Sequence, residues 1–290
     1  MNNTKKKSPI SWVPTAYFAM GLPFVVLNMV TVLMFKGLEV DDKLITFWTS
    51  LILLPWTLKP LWSPFLELFR TKKFFVIVTQ LITGITFGLV AFALNLSHFF
   101  SISIALLAIV AFSGATHDIA CDGVYMSELS NEDQARFIGW QGAFYNIAKI
   151  LATGGLVYLA GYFIELNADA GLLTANKRAW MIILLILSVT MILLGIYHLF
   201  ALPSTQSASS RKTLRSNKEV MKELGQVLMD FFRKTHITYY ICFIILYRFA
   251  EGFVMKIVPL FLKADREMGG LGLNEKEIGL YYGTYGAAAF

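Results

Sequence analysis

Cysteine, histidine, proline and formal charge are all scarce in this 290-residue chain, which has two Cys, four His, eight Pro and only 15% charged residues. Cys121 and Cys242 both lie inside apolar stretches. They offer neither a disulfide framework nor a zinc ligand set and read as small core hydrophobes. So little charge excludes an ordinary soluble domain, where about a quarter of residues are charged. No G-x-x-x-x-G-K-[ST], H-E-x-x-H or G-x-S-x-G pattern occurs, so nucleotide hydrolysis and metalloprotease chemistry have nothing to stand on. No metal or cofactor is expected. What is plentiful is apolar: 56% of residues are hydrophobic and the mean hydropathy is +0.60. The composition is that of an all-α polytopic membrane protein.

A bilayer core needs roughly 20 mostly apolar residues per helix. Six such segments fall near residues 12–35, 44–66, 74–96, 100–127, 136–163 and 178–202. The first follows the basic cluster Lys5, Lys6, Lys7 but is too long for a signal-peptide core, so it reads as a retained helix. A serine-rich polar stretch over 203–236 reads as a linker, a seventh span covers 237–262, where Pro259 is expected to kink or end the helix, and an eighth opens near Glu275. Alternating the loops puts the N-terminal lysines, Arg70, Lys72, Lys73, Arg136 and the linker's cations on one side. That side is expected to be cytoplasmic, with the N-terminus inside. The net charge of +6 is therefore a matter of topology, and no nucleic-acid partner is implied.

Six helices, a cytoplasmic linker and then further helices is the layout of the major facilitator superfamily, whose halves are parallel repeats. On that layout residues 1–202 form a complete six-helix bundle, 203–236 the linker and 237–290 an incomplete second bundle. The chain is then expected to be a fragment of a twelve-helix protein, monomeric when full length.

Ionisable residues within spans carry most of the functional information, because at the bilayer centre they face a cavity or a partner. In the seventh span Arg248 and Glu251 share a face at i,i+3 near mid-depth, with Tyr247 beside them. In the fifth, Gln141, Tyr145, Lys149 and Thr153 recur every four residues as a polar stripe. In the second, Lys59 sits among Pro55, Pro60 and Pro64, where the helix is expected to be irregular. In the fourth, Gly114, Asp118, Asp122 and Tyr125 line one face, toward the cytoplasmic end. Three readings of these acids stand open: proton acceptors, a gate that binds the basic loop after the second span, or hydrated helix-end charges.

Several of these segments resemble one branch of that superfamily, the AmpG-type muropeptide permeases and their acetyl-CoA-transporter relatives. The matching residues are Lys59-Pro60-Leu61-Trp62-Ser63-Pro64 with Glu67, Arg70, Lys72 and Lys73; His117-Asp118-Ile119 with Asp122; and Leu246-Tyr247-Arg248 with Glu251. The chain departs from that pattern at Tyr125, where a cation is usual, at Asn146-Ile147, where a Tyr-Arg pair is usual, and at His117, often a glutamine. The resemblance implies a proton-coupled importer of cell-wall sugar-peptide fragments in the bacterial inner membrane, driven by the proton gradient and not an enzyme. Substrate contacts are then expected at Arg248, Lys149, Tyr145, Gln141, Lys59 and Tyr247. Proton coupling falls to Glu251 and Asp118, and gating to Asp122, Glu67, Arg70, Lys72 and Lys73. The alternatives are a facilitator-type transporter of another small solute, or a membrane acyltransferase suggested by the H-x-x-x-x-D spacing of His117 and Asp122. That spacing splays the two side chains on a helix.

Overall fold

The computed structural model describes residues 7–63, 66, 71–203, 222, 225, 226, 229, 230 and 232–286, excepting the side chains of 248–251. Among the described residues six helices are long and apolar enough to cross a membrane: α1 (Pro9–Gly37), α2 (Asp42–Leu61), α3 (Lys72–Ala93), α4 (Phe99–Glu128), α5 (Asn131–Leu166) and α6 (Leu172–Ala201). Two more follow, α7 (Ile237–Lys263) and α8, which starts as Glu275–Glu277 and continues through Ile278–Gly286. The fold is an all-α polytopic membrane fold. Most of the 203–236 linker lies outside the described residues.

Helix starts are set by local chemistry. Asp41 caps α2 by accepting from the Lys43 and Leu44 amides, Thr71 caps α3 through the Phe74 amide, and Ser130 caps α5 through Asp133. Asn274 and Glu277 form a reciprocal capping box at the start of α8. α2 is irregular as expected: a turn at Ile52–Leu53 splits it, and Lys59–Leu61 is a 3₁₀ turn with Pro60 inside. Pro259 does not end the helix. α7 runs on to Lys263, since a proline lacks only one intrahelical bond and the following turn can absorb it.

The main packing pairs are α3 with α4, α3 with α6, and α1 with α5. Between helices in lipid, close van der Waals fit has to do what the hydrophobic effect does in water. Small residues supply that fit: Gly84 and Gly88 of α3 lie against Ser188 and Ile192 of α6, and Gly195 of α6 lies against Leu81. A large buried core includes Phe35, Phe87, Leu107, Trp180 and Ile183, and a second cluster gathers Trp12, Tyr17, Val76, Cys121 and Val124. Phe92, Phe112, Val189, Leu193 and Phe200 point outward, as lipid-facing side chains do. Cys121 is buried, whereas Cys242 is exposed on α7 and is not the core residue its apolar setting suggests.

The end of the bundle that carries the loops near Asp41, Asp169 and Met268 is called here the outer end. There α7 and α8, one helical group, touch the first six helices, the other. α7 packs on the Val26–Gly37 part of α1, and α8 packs on α5. The α5–α8 crossing is backbone on backbone: a Cβ at Gly283 would overlap the Thr153 carbonyl, and one at Gly161 would overlap the Lys276 amide. Glu165 of α5 pairs with Lys276 of α8, and Lys263 of α7 with Glu275 of α8.

Candidate functional site

The site begins where α4 is made of its smallest residues. At Gly114 the face is so flat that an added Cβ would come within 2.8 Å of the Trp56 ring, and Trp56 in turn meets Phe24 of α1 edge to face at 5.3 Å. Trp56 and Lys59, three residues apart on α2, are thereby brought to the next turn of α4. Both donate to one oxygen of Asp118: Trp56 Nε1 at 2.9 Å and Lys59 Nζ at 2.6 Å to Oδ2. The other oxygen, Oδ1, is buried with no hydrogen-bond partner among the described residues. A carboxylate with one oxygen that accepts two hydrogen bonds and another without a described partner is only half satisfied. Trp62, the tryptophan of the quoted motif, is not part of this contact and stacks on Phe112 at 4.6 Å.

One turn further along α4, Asp122 Oδ1 accepts from the Tyr17 hydroxyl of α1 at 2.8 Å, and Tyr17 meets Tyr125 edge to face. The basic segment at the start of α3 divides. The stem of Lys72 lies against Gly123, beside Asp122, while Lys73 Nζ donates to the Leu202 carbonyl at the end of α6 at 2.9 Å. Glu67 and Arg70 lie outside the described residues.

On the opposite side of α4 a polar chain crosses the apolar core. Gln80 of α3, fully buried, bridges two histidines: its Nε2 donates to His117 Nε2 (2.9 Å), and its Oε1 accepts from His198 Nδ1 of α6 (2.8 Å). Thr15 of α1 stands 2.9 Å from His198 Nε2 and completes the chain. With the carboxamide so oriented, neutral His117 carries its proton on Nδ1, which is buried with no described partner. Thr83, Ser113 and the Thr79 carbonyl make a further α3–α4 link. His117 and Asp122 thus turn to different helices. That division removes the geometric basis of an acid-base pair between them. Among the described residues no three His, Cys, Asp or Glu side chains gather as a metal centre.

The other expected contacts are more dispersed. Tyr145 of α5 packs against Gly21 of α1, Thr153 is buried with its hydroxyl on the Lys149 carbonyl, and Gln141 is half-buried. Lys149 itself is exposed, with no ion pair among the described residues. Tyr247 is exposed and stacks on Phe243. Arg248 and Glu251 lie on α7, but their side chains lie outside the described residues. Gln80, His198, Thr15, Trp56 and Tyr17 are the participants that sequence reasoning missed. Only Gln80 and His198 carried a signal, as isolated polar residues on otherwise apolar helices.

The fold is shared with a solved structure, a bacterial homolog to the human lysosomal transporter Spinster, in an inward-facing and unoccupied conformation. The match has a TM-score of 0.66 at 14% identity and covers 98% of this chain and 60% of that one, so this chain spans about three-fifths of its length. No curated protein matches the sequence. The family model of the Major Facilitator Superfamily matches residues 15–290, nearly the whole chain. Six spans followed by further helices agree with that match: the chain belongs to the Major Facilitator Superfamily.

Proposed function

We propose that the protein is a secondary active transporter that couples proton entry to the import of an anionic, sugar-containing solute across the bacterial inner membrane. Muropeptides from the cell wall are the substrate class. The observation that carries the reading is Asp118: a buried carboxylate bound by Lys59 and Trp56 through one oxygen, with the second free of any described partner. Such a group can take a proton on Oδ1 without giving up either existing donor. Once neutral it holds Lys59 less tightly, and a released ammonium is available to an anionic solute. Family membership and a fold shared with a transporter homolog support transport as the activity. The muropeptide assignment rests on the motif residues around Lys59, Asp118 and Arg248. Arg248, Lys149, Tyr145, Gln141, Lys59 and Tyr247 are assigned to the solute, and Glu251 with Asp118 to the proton. Asp122, Glu67, Arg70, Lys72 and Lys73 are assigned to the inner gate.

The test is uptake of radiolabelled anhydromuropeptide into proteoliposomes carrying the full-length protein. An inward proton gradient should accelerate uptake, and an uncoupler should abolish the gain. Asp118→Asn should lower gradient-driven uptake at least tenfold while leaving solute counterflow, which needs no net proton movement, largely intact. Gradient-driven uptake unchanged by Asp118→Asn removes Asp118 from the coupling step, and uptake indifferent to the uncoupler removes symport.

A further inference from the structure

α7 carries a third ionisable side chain, Lys256, which the reading above leaves without a role. It is the only buried lysine among the described residues, at 6% exposure. No carboxylate pairs with it among the described residues. Its Nζ instead points at three backbone carbonyls of the other helical group: Asn28 at 3.1 Å, Thr49 at 3.4 Å and Leu27 at 3.5 Å. The first and last belong to Val26–Val30, where α1 widens into a π-helical turn, and Thr49 belongs to α2. Beside them the Thr49 hydroxyl is buried and unpartnered.

We propose that Lys256 is a latch that holds the outer end of the molecule closed, its ammonium acting as the common donor to carbonyls of the α1 π turn and of α2. A π turn disturbs the regular i→i−4 ladder and commonly sits at functional positions. Ammonium has three donors, and the three carbonyls come from two helices across the interface between the halves. Carbonyl dipoles compensate a buried cation only in part, and an ammonium regains full hydration when the interface parts. The bond is therefore strong enough to hold the closed arrangement and reversible enough to be broken in each cycle. A carboxylate partner would make a tighter lock. The neighbouring Lys263–Glu275 pair joins α7 to α8 within one group, so it moves with α7; Lys256 reaches across.

The inference rests on the transport reading only for its purpose, and its test needs no solute. In purified full-length protein, with Cys121 and Cys242 replaced by alanine, single cysteines are placed at Leu260 and at Ala111. Leu260 is one turn beyond Lys256 and buried, and Ala111 is buried within α4. Maleimide labelling of Leu260→Cys, taken relative to Ala111→Cys, reports opening of the outer end over loss of the fold. In Lys256→Met, which keeps the volume, and in Lys256→Ala, the ratio should rise by roughly tenfold, the factor for losing one hydrogen bond of about 1.4 kcal/mol. An unchanged or lower ratio in either variant overturns the proposal, including the case in which both cysteines label together because the bundle has come apart. Uptake failing while the ratio rises would sink the transport reading and leave the latch standing.

Discussion

At Asp118 two donors share one oxygen, and Lys59 is the more consequential of them because it brings a charge. Lys59→Met leaves a buried carboxylate held by Trp56 alone, whereas Lys59→Met with Asp118→Asn leaves neutral groups. Removing one partner of a buried pair is worse than removing both. In detergent-solubilised protein the single change should lower unfolding stability by about 3 kcal/mol and the double change should recover about half of it. Equal losses would show that the pair is not coupled. Gln80 is a different case. Its amide satisfies one nitrogen on each of two buried histidines, so Gln80→Leu should cost about 2 to 4 kcal/mol, as two unpaired buried groups would. A loss under 0.5 kcal/mol would show that water replaces the amide. The acids of α4 were legible in the sequence by depth and by the small residues before them, yet their partners were not. The basic loop after α2 was one expected partner, and Arg70 lies outside the described residues; the contacts described are those of Asp118 with Lys59 from inside α2 and of Asp122 with Tyr17. Partner choice depends on the rotation of α2 about its own axis, which the break at Ile52–Leu53 alters and no spacing rule records.

The helices themselves were readable from hydropathy alone, because a span of about 20 apolar residues has no other use. All six expected spans correspond to observed helices, with ends displaced by several residues where amphipathic turns such as Asn131–Ala135 extend beyond the apolar run. Side-chain caps explain where α2, α3 and α5 start. How the helices cross was less legible, since a glycine in a span is silent until its neighbour is known. Gly283 and Gly84 illustrate two outcomes of one substitution. A Cβ at Gly84 would press into Ile192 and the Ser188 carbonyl between α3 and α6, so Gly84→Val should destabilise the bundle by about 1 to 3 kcal/mol. Gly283→Val presses on α5 from α8, across the interface between the halves. It should leave the unfolding of the first bundle within about 0.5 kcal/mol of the parent and instead increase maleimide access to a cysteine at Ile278. A reversal of these two effects would mean that α8 is integral to the first bundle.

For the whole molecule the described contacts between the two helical groups gather at the outer end, while Tyr239, Phe243, Leu246 and Tyr247 toward the start of α7 are exposed. The asymmetry has a topological counterpart. Six crossings return the chain to its starting side, so an epitope before Ser8 and one within 203–236 should be reached by antibody or protease from the same face, and a cysteine at Asp41 from the other. Access to both epitopes from outside intact cells, with Asp41→Cys protected there, would invert the assignment of Lys72, Lys73 and the linker cations to the cytoplasm. α1 and α5, which pack on each other, and α8, which packs on α5, each contain a π turn, at Val26–Val30, Leu151–Leu156 and Ile278–Gly286. In terms of chain length, such a turn is an α-helix with one residue too many, and one extra residue swings everything beyond it by about 100°. Lys36, Gly37 and Glu165 therefore face their partners because of a count, whatever the residues that make up the turn. A chain with one residue deleted from Val26–Val30 would keep its composition, its span and its charges, and would present the wrong side of α1 to α7.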